Sequence, residues 1–279
     1  MKQIFAENDL KSLYKPPVDS TKGENGKVVI IGGSKLFHGA PLLALTTASR
    51  IVDMVFFGSP EPNVGAIAEK LRSKLLSFVW IPWKGIDEYI EKADAVLIGP
   101  GMMRYKSEKR IVKSEELDGE GAKTKNITER LLKKFPDKKW VIDAGSLQTI
   151  DTKWIPENAI LTPNKKEYKM LFRDLDPREA ANKYKCTIVL KEPVTHVYSP
   201  EGECEIGGGN AGLTKGGTGD VQAGLTVALL AKNDPFLAAA SASYIIKKTA
   251  DKLFEKVGVY YNADDLAASV PLFLPQKVR

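Results

Sequence analysis

Histidine and cysteine are scarce in this 279-residue chain, with two of each: His38 and His196, Cys186 and Cys204. Two histidines are too few for a His-based metal cluster or a repeated proton relay. The cysteines lie far apart without CxxC spacing, which excludes a disulfide framework and a zinc site as expectations. No apolar run approaches the roughly 20 residues needed to span a bilayer. Met1 to Tyr14 has no continuous apolar core of signal-peptide type, so the expected setting is the cytoplasm. Neither GxxxxGKS nor GxxxxGKT occurs, which disfavours a P-loop NTPase, and the absence of GxSxG removes the commonest signal of a serine hydrolase. A formal charge of +6 suits an anionic ligand. The lysines, however, are scattered as pairs (133–134, 138–139, 165–166, 247–248) and form no basic stripe with interleaved aromatics, so nucleic acid is not an expected partner.

What the chain does have is a regular alternation. Val28-Val29-Ile30-Ile31, Met54-Val55-Phe56-Phe57, Phe78-Val79-Trp80-Ile81, Ala95-Val96-Leu97-Ile98, Val141-Ile142, Ala159-Ile160-Leu161 and Thr187-Ile188-Val189-Leu190 read as short buried strands. Helical patterns fall between them, at about 40–52, 64–76, 86–92 and 128–135. Short apolar strands alternating with helices predict an α/β fold, a mostly parallel central sheet with helices on both faces. Thr195 to Tyr198 and Glu203 to Ile206 alternate around Ser199-Pro200-Glu201-Gly202, a β-hairpin signal. Helices at about 218–231, 235–255 and 262–269 then close the chain. Residues 107–125 read as an exposed charged excursion. No linker or repeat divides the sequence, so one domain over 1–279 is expected, with 1–26 a polar segment packed on it.

The run Gly216-Gly217-Thr218-Gly219-Asp220 before an apolar helix is the most informative stretch. Glycines let a turn aim several backbone N–H groups at one point, and the first amides of a helix lack internal partners at its positive end. Together they form an anion hole suited to phosphate. A carboxylate at the lip of such a hole repels phosphate at rest, but a general base belongs there if the phosphate is to be attacked. The alternative is a glycine-rich loop in which Asp220 merely caps the helix. Gly207 to Gly212 formally satisfies GxGxxG, with Asp234 at about the fingerprint spacing. It follows a hairpin late in the chain rather than a first strand, which is the wrong context for a Rossmann turn. Small or polar residues follow four strands: Gly32-Gly33-Ser34, Gly99-Pro100-Gly101, Asp143, and Thr162-Pro163-Asn164. That is what a cleft along the carboxyl edge of a sheet requires. Ser34 also reads as a cap in a tight strand-to-helix turn, and Asn164 as a helix cap forming a capping-box pair with Glu167. Lys191 ends its strand, where a lysine either meets a nucleotide phosphate or is simply solvated.

In this order the elements resemble the ADP/ATP-dependent NAD(P)H-hydrate dehydratase family of the ribokinase-like superfamily, from about Lys22 to the C-terminal helices. The resemblance rests on three blocks: Lys22-Gly23 through Gly39-Ala40-Pro41 to Pro60-Glu61, then Gly99-Pro100-Gly101, then Asn210 to Asp220. It implies a hydro-lyase that phosphorylates hydrated NADH or NADPH, (6S)-NADHX or (6S)-NADPHX, on the added hydroxyl with ADP or ATP, then loses phosphate to restore the ring. Family-type substrate contacts fall on Ala40, Gly101, Asn164 and Asp220, with Asp220 the catalytic base. Nucleotide contacts fall on Lys191, Thr195 and Gly219, and the amides of Gly216, Gly217, Thr218 and Gly219 would hold the transferring phosphate. Mg²⁺ is implied as well, held mainly by phosphate oxygens and water with no protein ligand set. So is a homo-oligomer, possibly a tetramer, without the epimerase domain that some relatives carry in fusion. Three departures stand out. Asn164, followed by Lys165-Lys166, replaces the family's His with its common Pro-Gly. Gly145 replaces the second Asp of Asp-Ala-Asp-Ala-Leu, and Glu192 replaces the Gly of Lys-Gly. The alternatives are a ribokinase-like kinase for a sugar or a vitamin precursor such as hydroxyethylthiazole, which would stop at the phosphorylated product, and a nucleotide-binding protein without catalysis.

Overall fold

The computed structural model describes residues 3–71, 75–105 and 119–275. Ten strands form one sheet: β1 (Gln3–Ile4), β2 (Lys27–Ile31), β3 (Met54–Gly58), β4 (Val79–Ile81), β5 (Ala95–Ile98), β6 (Lys139–Ile142), β7 (Ile160–Leu161), β8 (Thr187–Leu190), β9 (Thr195–Tyr198) and β10 (Glu203–Ile206). Their order is β1-β10-β9-β8-β7-β6-β5-β2-β3-β4, and all pairs are parallel except β8 with β9 and β9 with β10. The expected hairpin is that antiparallel pair.

The central strands are apolar throughout because both faces are covered. On β2, Val28 and Ile30 enter one core while Val29 and Ile31 enter the other, as the two-residue period of a strand dictates. The first face is covered by α1 (Gly39–Ala48), α2 (Pro62–Leu71), α8 (Thr218–Leu230), α9 (Pro235–Val257) and α10 (Ala263–Ser269). The second is covered by α3 (Ile86–Lys92), α4 (Gly119–Lys134), α5 (Ala144–Thr149), α6 (Lys165–Phe172) and α7 (Pro177–Tyr184).

Several boundaries differ from the sequence reading. Helix α1 stops at Ala48, four residues early, and Val52 is buried without being helical. Helix α2 starts two residues earlier than expected, and residues 75–76, at the end of the expected span, are not helical. Helix α4 begins at Gly119, so the end of the supposed excursion is its first turns, whereas residues 106–118 lie outside the described residues. The N-terminal segment is not simply polar: β1 pairs with β10, and Phe5, Leu10 and Leu13 are buried in the first core. Two helices went unread. Helix α5 is too short for a periodic signal, but α7 opens on Asp176-Pro177, a start signal in plain view, with Asp176 accepting from the amides of Arg178 and Glu179.

The chain runs outward from β2 to β4, then returns to place β5 on the other side of β2. Loops leaving β2 and β5 therefore diverge at a switch point, where open α/β sheets form their crevices. The two packed layers above it are held close by glycine: a Cβ on Gly224 of α8 would lie 2.4 Å from the Ala44 carbonyl oxygen of α1. We expect Gly224→Ala to cost roughly 1–3 kcal/mol in urea unfolding, the usual penalty for overpacking. Gly202→Ala, whose Cβ meets nothing within 4 Å, should stay within about 0.5 kcal/mol of wild type. Equal effects would show that the α1–α8 approach is not tight.

Candidate active site

The carboxyl ends of β2, β5, β6, β7 and β8 lie side by side and carry the polar residues of the cleft. At the switch point the Gly33 amide donates to the Pro100 carbonyl at 2.8 Å, and a Cβ on Gly32 would meet that same oxygen at 2.2 Å. Ser34 accepts from the Phe37 amide at 3.1 Å, so it orders the connection rather than capping α1, whose N-cap is His38. The turn is not tight either, since seven residues separate β2 from α1. A Cβ on Gly101 would touch the Phe37 carbonyl oxygen at 2.2 Å and the Ala40 methyl at 3.3 Å, so Ala40 and Gly101 are neighbours. One strand further along, a Cβ on Gly99 would lie 1.8 Å from the Asp143 carbonyl oxygen.

Asp143 is the buried N-cap of α5, yet its carboxylate does not cap. It accepts from the Thr162 hydroxyl at 2.7 Å and from the Lys191 ammonium at 3.1 Å. The following residue, Ala144, has φ 46°, in a left-handed region that costs an L-residue about 1–2 kcal/mol. Asn164 caps α6 through a reciprocal box: its Oδ1 accepts from the Glu167 amide at 3.0 Å, and Glu167 accepts from the Asn164 amide at 2.9 Å. The other Glu167 oxygen accepts from Gln148 at 2.8 Å. Residues 164 and 191 pair across the sheet, which brings the cap and the lysine together.

Lys191 thus stands among three carboxylates. Burial pulls its ammonium down, but Asp143, Glu167 and Asp220 outweigh that and hold it above its ordinary value. Burial also raises Glu167, against the pull of Lys191 and with the push of Asp143. Asp220 is pushed up to about 7, chiefly by burial and then by the negative Asp143, with Lys191 drawing it back.

Gly217, at φ 94°, is the N-cap of α8, so Asp220 stands not at the cap but at the third helical position, where a hydrogen bond from its own backbone favours the carboxylate. The hydroxyl of Thr218 donates back to the Leu213 and Lys215 carbonyls at 2.7 and 2.9 Å, which fixes the turn. The amides of Gly216, Gly217 and Gly219 find no protein acceptor among the described residues. A Cβ on Gly219 would meet only the Lys191 ammonium, at 3.6 Å. The preceding Asn210 to Lys215 stretch is scaffold for this turn: Asn210 Oδ1 accepts from the Gly212 amide and the Tyr261 hydroxyl, and Lys215 donates to the Val259 and Tyr261 carbonyls. Beside the turn opens a cavity of about 560 Å³, of a size that takes a small-molecule ligand. Lys191, Glu192, Thr195, Thr218 and Gly219 line it, and so do Gln222, Ser243 and Lys247, which the sequence reading missed. Gly216 and Gly217 do not line it; Gly217 backs onto Leu43 and Ala263.

A family model described as NAD(P)H-hydrate dehydratase matches residues 28–272. The chain belongs to that family. It is 38% identical to the bifunctional NAD(P)H-hydrate repair enzyme of Methanocaldococcus jannaschii, covering 96% of this chain and 52% of the relative. The chain spans about half the length of the curated relatives of that kind. It is also 29% identical to the ADP-dependent (S)-NAD(P)H-hydrate dehydratase of Cenarchaeum symbiosum, over 91% of this chain and 90% of that one. Among solved structures, the ADP/ATP-dependent NAD(P)H-hydrate dehydratase of Bacillus subtilis, co-crystallized with ATP/Mg²⁺, matches at TM-score 0.76 and 23% identity, covering 98% and 97%. The fold is ribokinase-like.

Seen within this family, two of the three departures have a local explanation. Gly145 sits where a Cβ would meet the Met102 carbonyl oxygen at 2.2 Å, so a larger residue is barred by the backbone. Glu192 and Lys165, both departures, face each other at 3.8 Å, so the added negative charge has a cation nearby. Asn164 keeps its oxygen in the cap and leaves its amide nitrogen as a donor.

The displaced titration of Asp220 predicts a stability effect. Its carboxyl holds a proton in the folded chain up to about pH 7 but releases it near the ordinary 3.8 when unfolded. Between those values the folded state binds more protons, so this group's contribution to stability falls as pH rises through the window. Asp220→Asn removes the group. Its melting temperature should match wild type near pH 4 and exceed it at pH 8. A difference that does not grow with pH would contradict the assigned environment.

Proposed function

We propose that the protein dehydrates hydrated NADH or NADPH, (6S)-NADHX or (6S)-NADPHX, at the expense of ADP or ATP. The observation that carries this reading is a near-neutral Asp220 at the start of α8, beside unpartnered glycine amides, in a chain of this family. A base poised near operating pH is what proton abstraction from a hydroxyl requires. The nucleotide occupies the 560 Å³ cavity, its distal phosphate reaching past the amide of Gly219, which lines the cavity, to those of Gly216 and Gly217, which do not. Lys191 meets the phosphates from the β8 side, and Thr195 lines the adjoining wall. The hydrated ring lies toward Ala40, Gly101 and Asn164, with its hydroxyl against Asp220. Asp220 takes the hydroxyl proton as the terminal P–O bond of the nucleotide breaks and the phosphoryl group passes to the substrate oxygen. Phosphate then leaves with the C–O bonding electrons, the adjacent ring carbon gives up a proton, and the ring double bond returns. The single continuous sheet supports treating the described chain as one catalytic domain.

Among the described residues, no trio of His, Cys, Asp or Glu is placed to hold a metal ion, and the ammonium of Lys191 stands between the nearby carboxylates. The side chains therefore do not fit a Mg²⁺ cage of their own, and an ion would arrive on the phosphates of the nucleotide.

Incubation with hydrated NADH, Mg²⁺ and ADP or ATP should restore the absorbance of the reduced nicotinamide. A kinase would accumulate phosphorylated compound without that signal, and a non-catalytic binder would do neither; either result rejects the proposal. Asp220→Asn keeps shape and hydrogen bonding but removes basicity, so turnover should fall on the order of 10²- to 10⁴-fold with nucleotide affinity retained. Turnover within about threefold of wild type, far short of that range, would move the base elsewhere. Asn164→Asp preserves a good cap and deletes the amide donor. KM for hydrated NADH should rise while the melting temperature holds, and an unchanged KM would reduce Asn164 to its cap.

A further inference from the structure

The opposite end of α8 from the glycine turn carries a second cavity, of about 270 Å³. Five separate stretches meet there: the N-terminal segment at Leu13 to Pro16, Asn25, the chain after α1, the end of α8, and Leu274-Pro275. Among the described residues its charged lining side chains are Lys15, Arg50 and Lys232, and no carboxylate lines it. None of the three forms an ion pair among the described residues. Nor are they engaged by the carbonyls that end α8. Lys139 donates to the Leu230 and Asn233 carbonyls at 3.2 and 3.1 Å, and the Asn233 side chain donates to Leu229 at 2.7 Å. Asp53, which reaches the same loop, is occupied by the amides of Gly23 and Asn25 at 2.7 and 3.0 Å.

The remaining wall is mainly apolar, with Asn25 and Asn233 as its polar members. Leu13, Ile51, Leu229 and Leu274 line it. Tyr14 is held at both ends, its amide on Asn233 Oδ1 at 2.8 Å and its hydroxyl on Asn25 Oδ1 at 2.9 Å. The Lys232 ammonium lies over its ring, 5.3 Å from the centroid. Lys15, Arg50 and Lys232 are exposed and line the one cavity, so an anion entering it meets cationic side chains from three separate stretches of the chain. A guanidinium supplies the fork geometry that suits carboxylate and phosphate.

We propose that this cavity binds a small organic anion, a carboxylate or phosphate monoester on a compact apolar body. The volume is slightly below that of a drug-sized site and about half that of the cavity beside the glycine turn. Because the cavity is lined by five chain segments, its occupant ties the N-terminal segment to the α1–α8 pair and stabilises the folded chain.

The test uses the full chain at fixed ionic strength, with hexanoate and phenyl phosphate as probes in calorimetric titration and thermal melting. The two probes separate a carboxylate ligand from a phosphate ester. At least one should bind with Kd near or below about 1 mM and raise the melting temperature. Affinity should drop about tenfold in Arg50→Ala and in Lys232→Ala, each the removal of one charge-assisted contact, and should survive Lys191→Met at the other cavity. Failure of both probes to bind in the millimolar range overturns the proposal. Binding that Arg50→Ala leaves intact overturns it too. So does inorganic phosphate binding as tightly as phenyl phosphate, since the apolar wall would then contribute nothing.

Discussion

The placement of one ammonium among three carboxylates governs the chemistry of this cleft. Lys191 donates to Asp143 and feels Glu167 and Asp220. A charge taken out of water is tolerated only when it is paired and hydrogen-bonded. Each partner accordingly has a second anchor or a second use: Thr162 for Asp143, Gln148 and the α6 cap for Glu167. Asp220 is the member whose balance is least favourable to the anion, because burial and its acidic neighbours exceed the pull of the lysine. A structural arrangement that makes one carboxyl reluctant to ionise also gives it the basicity that a proton acceptor needs.

That cluster exists because of the sheet beneath it. Residues 143, 164 and 191 follow three adjacent parallel strands, β6, β7 and β8, so their side chains arrive at one edge from positions far apart in sequence. On the other side the loops after β2 and β5 lie almost in contact, and only glycine permits the backbone approaches there. Helix α8 starts beside this edge, where a Cβ on Gly219 would lie 3.6 Å from the Lys191 ammonium. The energetic cost of the cluster is met by the continuous apolar cores on both faces, which make the strand ends rigid.

How far all this is legible in the sequence depends on the range of the interaction. The alternating strands and helices and the glycine run before α8 are local patterns, and they could be read along the chain. So could the reciprocal cap of Asn164 and Glu167, because its partners lie three residues apart. The second task of Glu167, toward Gln148 and Lys191, was not readable, since it depends on burial and on which strands become neighbours. Lys247 was missed for the same reason: it sits mid-helix in an ordinary apolar pattern, and only the fold turns it toward the Gly208 carbonyl. Gly145 looked like a lost carboxylate, and the Met102 backbone shows why no side chain fits. The polar composition of residues 1–26 concealed three buried apolar side chains, because composition averages over the few positions that face the core.

The central claim is that Asp220 is held near neutrality by its surroundings and drawn back by Lys191. A ¹³C NMR titration of labelled aspartate, with the Asp220 signal assigned by its loss in Asp220→Asn, measures this directly. The account predicts a midpoint at about 7 in wild type and a higher one in Lys191→Met, since the Lys191 ammonium draws the carboxyl back toward the anion. A wild-type midpoint near the ordinary 3.8, or a downward move in Lys191→Met, would contradict it.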